Sequence, residues 1–203
     1  MNFMQLRERQ PKFPVTVKTG EGVVELIWNK IEYADGYRVF ASPVGKNHFV
    51  GVINVKGTTA VMKKRANGVP MQYKVKAFRI ADGPDNFFGE SEIVIACPLE
   101  TPRRLTAIVG SDGICTLSWR YNSQCDGFKI YADSNESGKY SFVCYSGKNS
   151  CRLDSFTKSG KVSFVVRSFI MTGHMEKLGV SSAPAEAVLP KSKGAKAVQF
   201  DHS

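Results

Sequence analysis

The chain has 203 residues, 42% of them hydrophobic and 23% charged, and a formal net charge of +10. That balance excludes a disordered chain, and no apolar run approaches the ~20 residues that a membrane-spanning helix needs. Five cysteines are too few for a disulfide-dense miniprotein, and the length suits two domains of roughly 100 residues each.

The first ten residues, Met1 to Gln10, hold no apolar stretch of the kind a secretory signal requires, and residues 1–12 read as an N-terminal arm. From residue 13 the hydrophobic period is two. Val24, Leu26 and Trp28 alternate with Val23, Glu25 and Ile27; Tyr37 and Val39 flank Arg38; Met71, Tyr73, Val75 and Ala77 alternate with Gln72, Lys74 and Lys76. Such alternation places one face of a strand on a core and the other in water. Turn formers separate the runs at Ala34-Asp35-Gly36, Val44-Gly45-Lys46-Asn47, Asn67-Gly68 and Ala81-Asp82-Gly83-Pro84. This first domain closes at Pro98, and residues 99–102 read as a short linker stiffened by the flanking Pro98 and by Pro102.

The pattern then begins again. Trp28 and Trp119, the only tryptophans, stand 91 residues apart, and the same offset lays Asp35-Gly36-Tyr37-Arg38-Val39-Phe40 on Asp126-Gly127-Phe128-Lys129-Ile130-Tyr131. It also lays Tyr73 to Phe78 on Phe164 to Phe169, and Gly20-Glu21-Gly22 on Ser111-Asp112-Gly113. The chain is therefore read as a tandem duplication, with the second domain at residues 103–190 and a basic tail at 191–203. Short strands at this spacing predict an all-β chain, two tandem seven-stranded antiparallel β-sandwiches with Trp28, Tyr37, Tyr73, Trp119, Phe128 and Phe164 in their cores.

These residues resemble fibronectin type III domains, over residues 13–98 and again over 103–190. The features carrying the resemblance are a core Trp on the second strand, Tyr-x-Val or Phe-x-Ile on the third, and Tyr/Phe-x-Val-x-Ala/Ser on the sixth. The Trp-x8-Tyr/Phe spacing with Asp-Gly before the aromatic is most similar to the versions in bacterial surface, secreted and phage virion proteins. The sequence departs from the family at its tyrosine corner, where Met71 and Val162 stand in place of Tyr, preceded by Arg65 and Phe156. No Arg-Gly-Asp tripeptide occurs.

Little in the sequence points to catalysis. There is no phosphate-binding glycine loop and no Cys-x-x-Cys; His174-Met175-Glu176 lacks the cysteines of a zinc deaminase, and His48 and His202 have no nucleophile partner in sight. Carboxylate pairs such as Glu90/Glu92 and Asp82/Asp85 would need a cleft that a small sandwich seldom provides. No enzyme activity, cofactor or metal is expected. Cys97 ends the first domain, while Cys115, Cys125, Cys144 and Cys151 stand where the first repeat has Val24, Ala34, Ile53 and Ala60. Thiols packing as small hydrophobes are expected, with a Cys115–Cys151 bridge across adjacent strands left open.

The charge is shared evenly: residues 11–98 carry 12 Lys/Arg against 8 Asp/Glu, and residues 103–190 carry 11 against 7. That argues against a specific nucleic-acid site and leaves room for weak binding to anionic surfaces. Recognition is expected at the loops joining the last strands of each repeat, through Asp82, Asp85 and Phe87 in the first and His174 and Met175 in the second. Phe88 and Leu178, each before a Gly, are expected to fold over the sheet end instead. The function implied is a non-enzymatic interaction or structural module: a subunit of a larger assembly such as a phage virion or appendage, contacting neighbouring subunits, or part of a bacterial surface adhesin. The first setting implies synthesis in the cytoplasm and the second an extracellular chain whose signal has been removed. The alternative is a carbohydrate-binding or enzyme-accessory module using Tyr33, Tyr121, Tyr140 or Tyr145 as sugar platforms.

Overall fold

The computed structural model describes residues 12–83, 86–154 and 159–190. The arm up to residue 11, Asp85, Phe156 and the tail from 191 lie outside the described residues. By strand pairing the described residues form two units, one within residues 12–99 and one within 100–190. The first holds β1 (Val15–Gly20), β2 (Val23–Trp28), β3 (Gly36–Pro43), β4 (Val50–Val55), β5 (Thr59–Met62), β6 (Met71–Phe78), β7 (Phe87–Glu90) and β8 (Val94–Ala96). One sheet runs β1-β2-β5; the other runs β4-β3-β6, with β7 and β8 both paired to the far side of β6. The second unit repeats this with β9 (Arg103–Val109), β10 (Cys115–Arg120), β11 (Gly127–Asp133), β12 (Ser141–Ser146), β13 (Ser150–Leu153), β14 (Gly160–Thr172), β15 (Met175–Leu178) and β16 (Ala185–Leu189). Its sheets are β9-β10-β13 and β12-β11-β14, again with the last two strands on β14. Each unit is thus an all-β sandwich of seven strand positions whose final strand is broken in two. Among the described residues the single helical element is a 3-10 turn at Ile80–Asp82.

The offset of 91 persists at atomic detail. Trp28 meets Tyr37 edge-on at 5.2 Å, and Trp119 meets Phe128 edge-on at 5.1 Å. Both indoles are buried, and Tyr73 and Phe164 are fully enclosed at the centres of their separate cores. The Trp28 amide donates to Thr58 O at 3.0 Å and the Trp119 amide to Asn149 O at 3.1 Å. In the first unit a β-bulge interrupts β3–β4 after Val39, and in the second a bulge interrupts β11–β12 after Ile130. At the two corner positions Met71 packs half-buried against the first core and Val162 is buried in the second. Apolar side chains fill the place a phenol would take.

The repeated Asp-Gly does more than turn the chain. Asp35 Oδ2 accepts the Ile80 amide at 2.8 Å, and Asp126 Oδ2 accepts the Met171 amide at 2.6 Å, tying the start of the third strand to the end of the sixth. A Cβ on Gly36 would stand 2.6 Å from Phe78 Cζ, and one on Gly127 would stand 3.0 Å from Phe169 Cε1. Glycine is there because a ring lies flat against the backbone.

The break in the last strand is also built twice. Where β7 ends, Ser91 donates its amide to Val75 O and accepts the Val75 amide on Oγ, both at 2.8 Å. Ser182 does the same to Val166, at 2.9 and 3.0 Å. A hydroxyl stands in for the carbonyl of an unbroken strand, so the central strand keeps its ladder satisfied. In the first unit Phe13 enters the gap, donating to Glu90 O and accepting from the Glu92 amide.

Glu100 is held within the second unit. Its Oε2 accepts the Asn122 amide at 3.0 Å and the Ser123 hydroxyl at 2.7 Å, while its carbonyl accepts from Ser168 Oγ at 3.0 Å. Burial alone would raise its carboxyl. The Ser123 and Asn122 donors and the nearby Arg103 charge outweigh that and hold it below its ordinary range. None of the five cysteines is in a disulfide. Cys115 and Cys151 do lie on adjacent strands, β10 and β13, but the sulfur that meets Cys151 Sγ, at 3.3 Å, is that of Cys144 on the opposite sheet.

Candidate binding face

The outer face of each larger sheet collects the charged and aromatic side chains that alternate away from the core. In the first unit Phe40 and Phe87 meet edge-on at 5.5 Å, and the Arg38 guanidinium lies 5.4 Å from the Phe87 ring. Lys76 reaches both rings, at 5.6 and 5.4 Å, and Lys74 sits 4.5 Å from the Phe49 ring. Glu90 bonds Lys74 at 3.3 Å and Lys76 at 3.1 Å. Burial would raise the Glu90 carboxyl, but the two ammonium groups prevail and hold it low. The rings here are half-buried and covered by cationic side chains, so this face is largely occupied by its own residues.

The second unit differs at the matching place. Tyr131, Phe142, Tyr145 and Phe169 form a continuous row, with centroids 5.9, 4.8 and 5.8 Å apart. Phe142 is 49% exposed and Tyr145 is 58% exposed. The Lys129 ammonium lies 5.8 Å from the first ring and 5.1 Å from the second. The bulge explains how both rings face outward. Strict alternation would send residues 142 and 145 to opposite faces, but the extra residue Val143 resets the phase. In the first unit the same bulge turns Gly51 and Asn54 outward. The copies therefore share a backbone device and differ in what it displays.

Of the residues expected at the loops, Asp82 is exposed in the 3-10 turn and its carbonyl accepts from the Asn86 amide group. Phe87 belongs to β7 and the half-buried face described above, while Phe88 packs against the core with the Arg79 guanidinium 4.5 Å from its ring. His174 and Met175 are exposed at the tight β14–β15 hairpin, where Gly173 takes a positive φ of 64°. Asp82 lies in the 3-10 turn and Phe87 on β7, whereas His174 and Met175 lie at the β14–β15 hairpin. Among the tyrosines, Tyr121 is buried at 6% against Phe128 and its phenol is pushed up by burial. Tyr140 bonds Ser163 Oγ at 2.9 Å. Tyr33 and Tyr145 are the exposed ones. Phe142 was not among the expected contact residues, because the bulge that turns it outward beside Tyr145 arises from strand pairing. Among the described residues no group of three or more His, Cys, Asp or Glu is placed to hold a metal ion, and no helix is long and apolar enough to cross a membrane.

No protein-family model and no curated protein sequence matches the chain. Among solved structures it is similar to the FN1-FN3 domains of chicken CNTN1, with 18% identity, 89% of this chain and 67% of that one covered, and a TM-score of 0.40. It is also similar to a two-domain fibronectin type III segment of chicken tenascin, with 16% identity, 87% and 97% covered, and a TM-score of 0.48. In strand order, three strands facing four with a broken final strand, the chain is a tandem of two all-β sandwiches.

Proposed function

We propose that the chain is a non-catalytic interaction module, built into a larger assembly such as a virion, an appendage or a surface adhesin, and that its second sandwich docks a protein partner. We take residues 13–98 and 103–190 as the two domains of that module. The observation carrying the reading is the row Tyr131–Phe142–Tyr145–Phe169 on the outer face of β11, β12 and β14. Exposed aromatic rings beside a cation are the usual anchors of protein interfaces. The rings meet at 59–75°, presenting edges and clefts that suit interdigitating side chains. A sugar is better served by a flat ring face rimmed with hydrogen-bonding groups, although the exposure of Tyr145 keeps that second reading testable.

The test places a photo-crosslinking residue at position 142, and separately at the exposed Ile108 on β9, in cells that make the chain. Position 142 should capture one dominant protein, and Tyr145→Ala should abolish that capture. Because both rings are exposed, Phe142→Ala and Tyr145→Ala should change unfolding free energy by only about 0.5–1.5 kcal/mol, the value of a lost ring pair. Equal crosslinking at both sites would remove the docking face. Retention on a polysaccharide gel that Tyr145→Ala abolishes would give the face to a glycan.

A further inference from the structure

Cys144 and Cys151 stand apart from the other thiols. Cys144 lies on β12, the edge strand of one sheet, and Cys151 on β13, the edge strand of the other. At this open side of the sandwich no backbone hydrogen bond joins the two layers, and both side chains are half-buried rather than enclosed. Their sulfurs touch at 3.3 Å. The turn between them is already closed: Ser146 Oγ accepts the Lys148 amide at 3.1 Å and lies 2.7 Å from Ser150 O, to which it donates. The first repeat supplies the contrast. Its matching residues are Ile53, packed against the core, and the buried Ala60, so the same place needs only apolar filling. A second repeat that merely refilled it would have no need of two sulfurs in contact.

We propose that Cys144 and Cys151 are a redox-responsive pair that a small-molecule disulfide such as oxidised glutathione converts into an inter-sheet disulfide. The step balances as a double exchange. The Cys151 thiolate attacks one sulfur of the small disulfide, forming a mixed disulfide and expelling one small thiolate. Cys144 then attacks Cys151 Sγ, closing the protein bond and expelling the second small thiolate, and the two protein protons end on the two leaving groups. The protein is oxidised by two electrons and the small disulfide is reduced to two thiols. Forming the bond means closing the sulfur gap from 3.3 Å to about 2.05 Å. The hydrogen bond between the two sulfurs holds the Cys151 thiol below the ordinary thiol range against the cost of burial, which favours its thiolate. Burial instead raises Cys115 and Cys125.

The inference is independent of the docking face, although β12 carries both. Its test treats the full reduced chain with oxidised glutathione and reads intact mass and linked peptides. The expected result is loss of two hydrogens, with one peptide pair joined through Cys144 and Cys151. Cys144→Ser and Cys151→Ser should each lose that bond, and Cys144→Ser should retain a glutathione on Cys151. Wild-type chain that stays fully reduced, that keeps glutathione adducts on these two residues, or that links either to Cys115 would overturn the proposal. Crosslinking at position 142 in the reduced chain tells this failure from failure of the docking face.

Discussion

Ser91 and Ser182 show how much of a sandwich can rest on one hydroxyl. Each is buried, and each satisfies a central-strand amide that the broken final strand cannot reach with its own carbonyl. Ser91→Ala or Ser182→Ala should cost about 1–3 kcal/mol in denaturant unfolding, the cost of stranding a buried donor. The loss of one small oxygen from a surface serine would cost almost nothing. Glu100 makes a pH-dependent counterpart. Its folded carboxyl lies below the ordinary 4.5, so it adds stability that is complete above that value and is lost as pH falls through the lower folded value. Glu100→Gln should therefore lower the melting temperature at pH 7, and the gap from wild type should close as the pH falls below the ordinary carboxylate range. Melts at successive pH values check this. The serines were visible in the sequence as an identical pair at the repeat offset, but nothing in their neighbours says that a hydroxyl rather than a small side chain is needed there.

At the scale of the element, alternation gave the strands their faces wherever pairing is regular. In β2 the residues Val24, Leu26 and Trp28 all point inward, and Cys115, Leu117 and Trp119 do so in β10. Alternation cannot place β12, where a single extra residue shifts the phase, because a bulge is a property of two paired strands and leaves no mark in one strand alone. The final strands were misleading for a related reason. Phe87 sits beside a turn-rich segment and looks like part of a loop, yet it pairs with Phe78 on β6 and packs on Phe40. Strand pairing, a long-range event, decided its environment. The sulfur pair escaped in the same way: Cys144 and Cys151 meet across two sheets, and sequence spacing speaks only of strands within one.

For the whole molecule, duplication is the organising fact, and it was the most legible one. A fixed offset of tryptophans, strand aromatics and Asp-Gly turns becomes a fixed offset of ring contacts, bulges and hydrogen bonds. Trp28 and Trp119 fill separate cores, so Trp28→Ala and Trp119→Ala should each cost about 3–5 kcal/mol. Hydrogen exchange should show the damage of Trp119→Ala in the β10, β11 and β14 amides while those of β2, β3 and β6 keep their protection. Loss of protection in both units would mean that the cores share their stability. Where the copies disagree, as at Gly51 against Phe142 and Ile53 against Cys144, the same strand pairing accommodates both residues.

The interrupted final strand has one more effect. A long, straight margin of unpaired amides and carbonyls invites a foreign chain to add itself as the next strand, and a protein carrying two sandwiches doubles that hazard. Cutting each margin into two short, offset pieces, with a serine bridging inward at the cut, denies an incoming strand the run of bonds it would need. With each cut bridged inward by Ser91 or Ser182, neither final strand offers a foreign chain an unbroken edge.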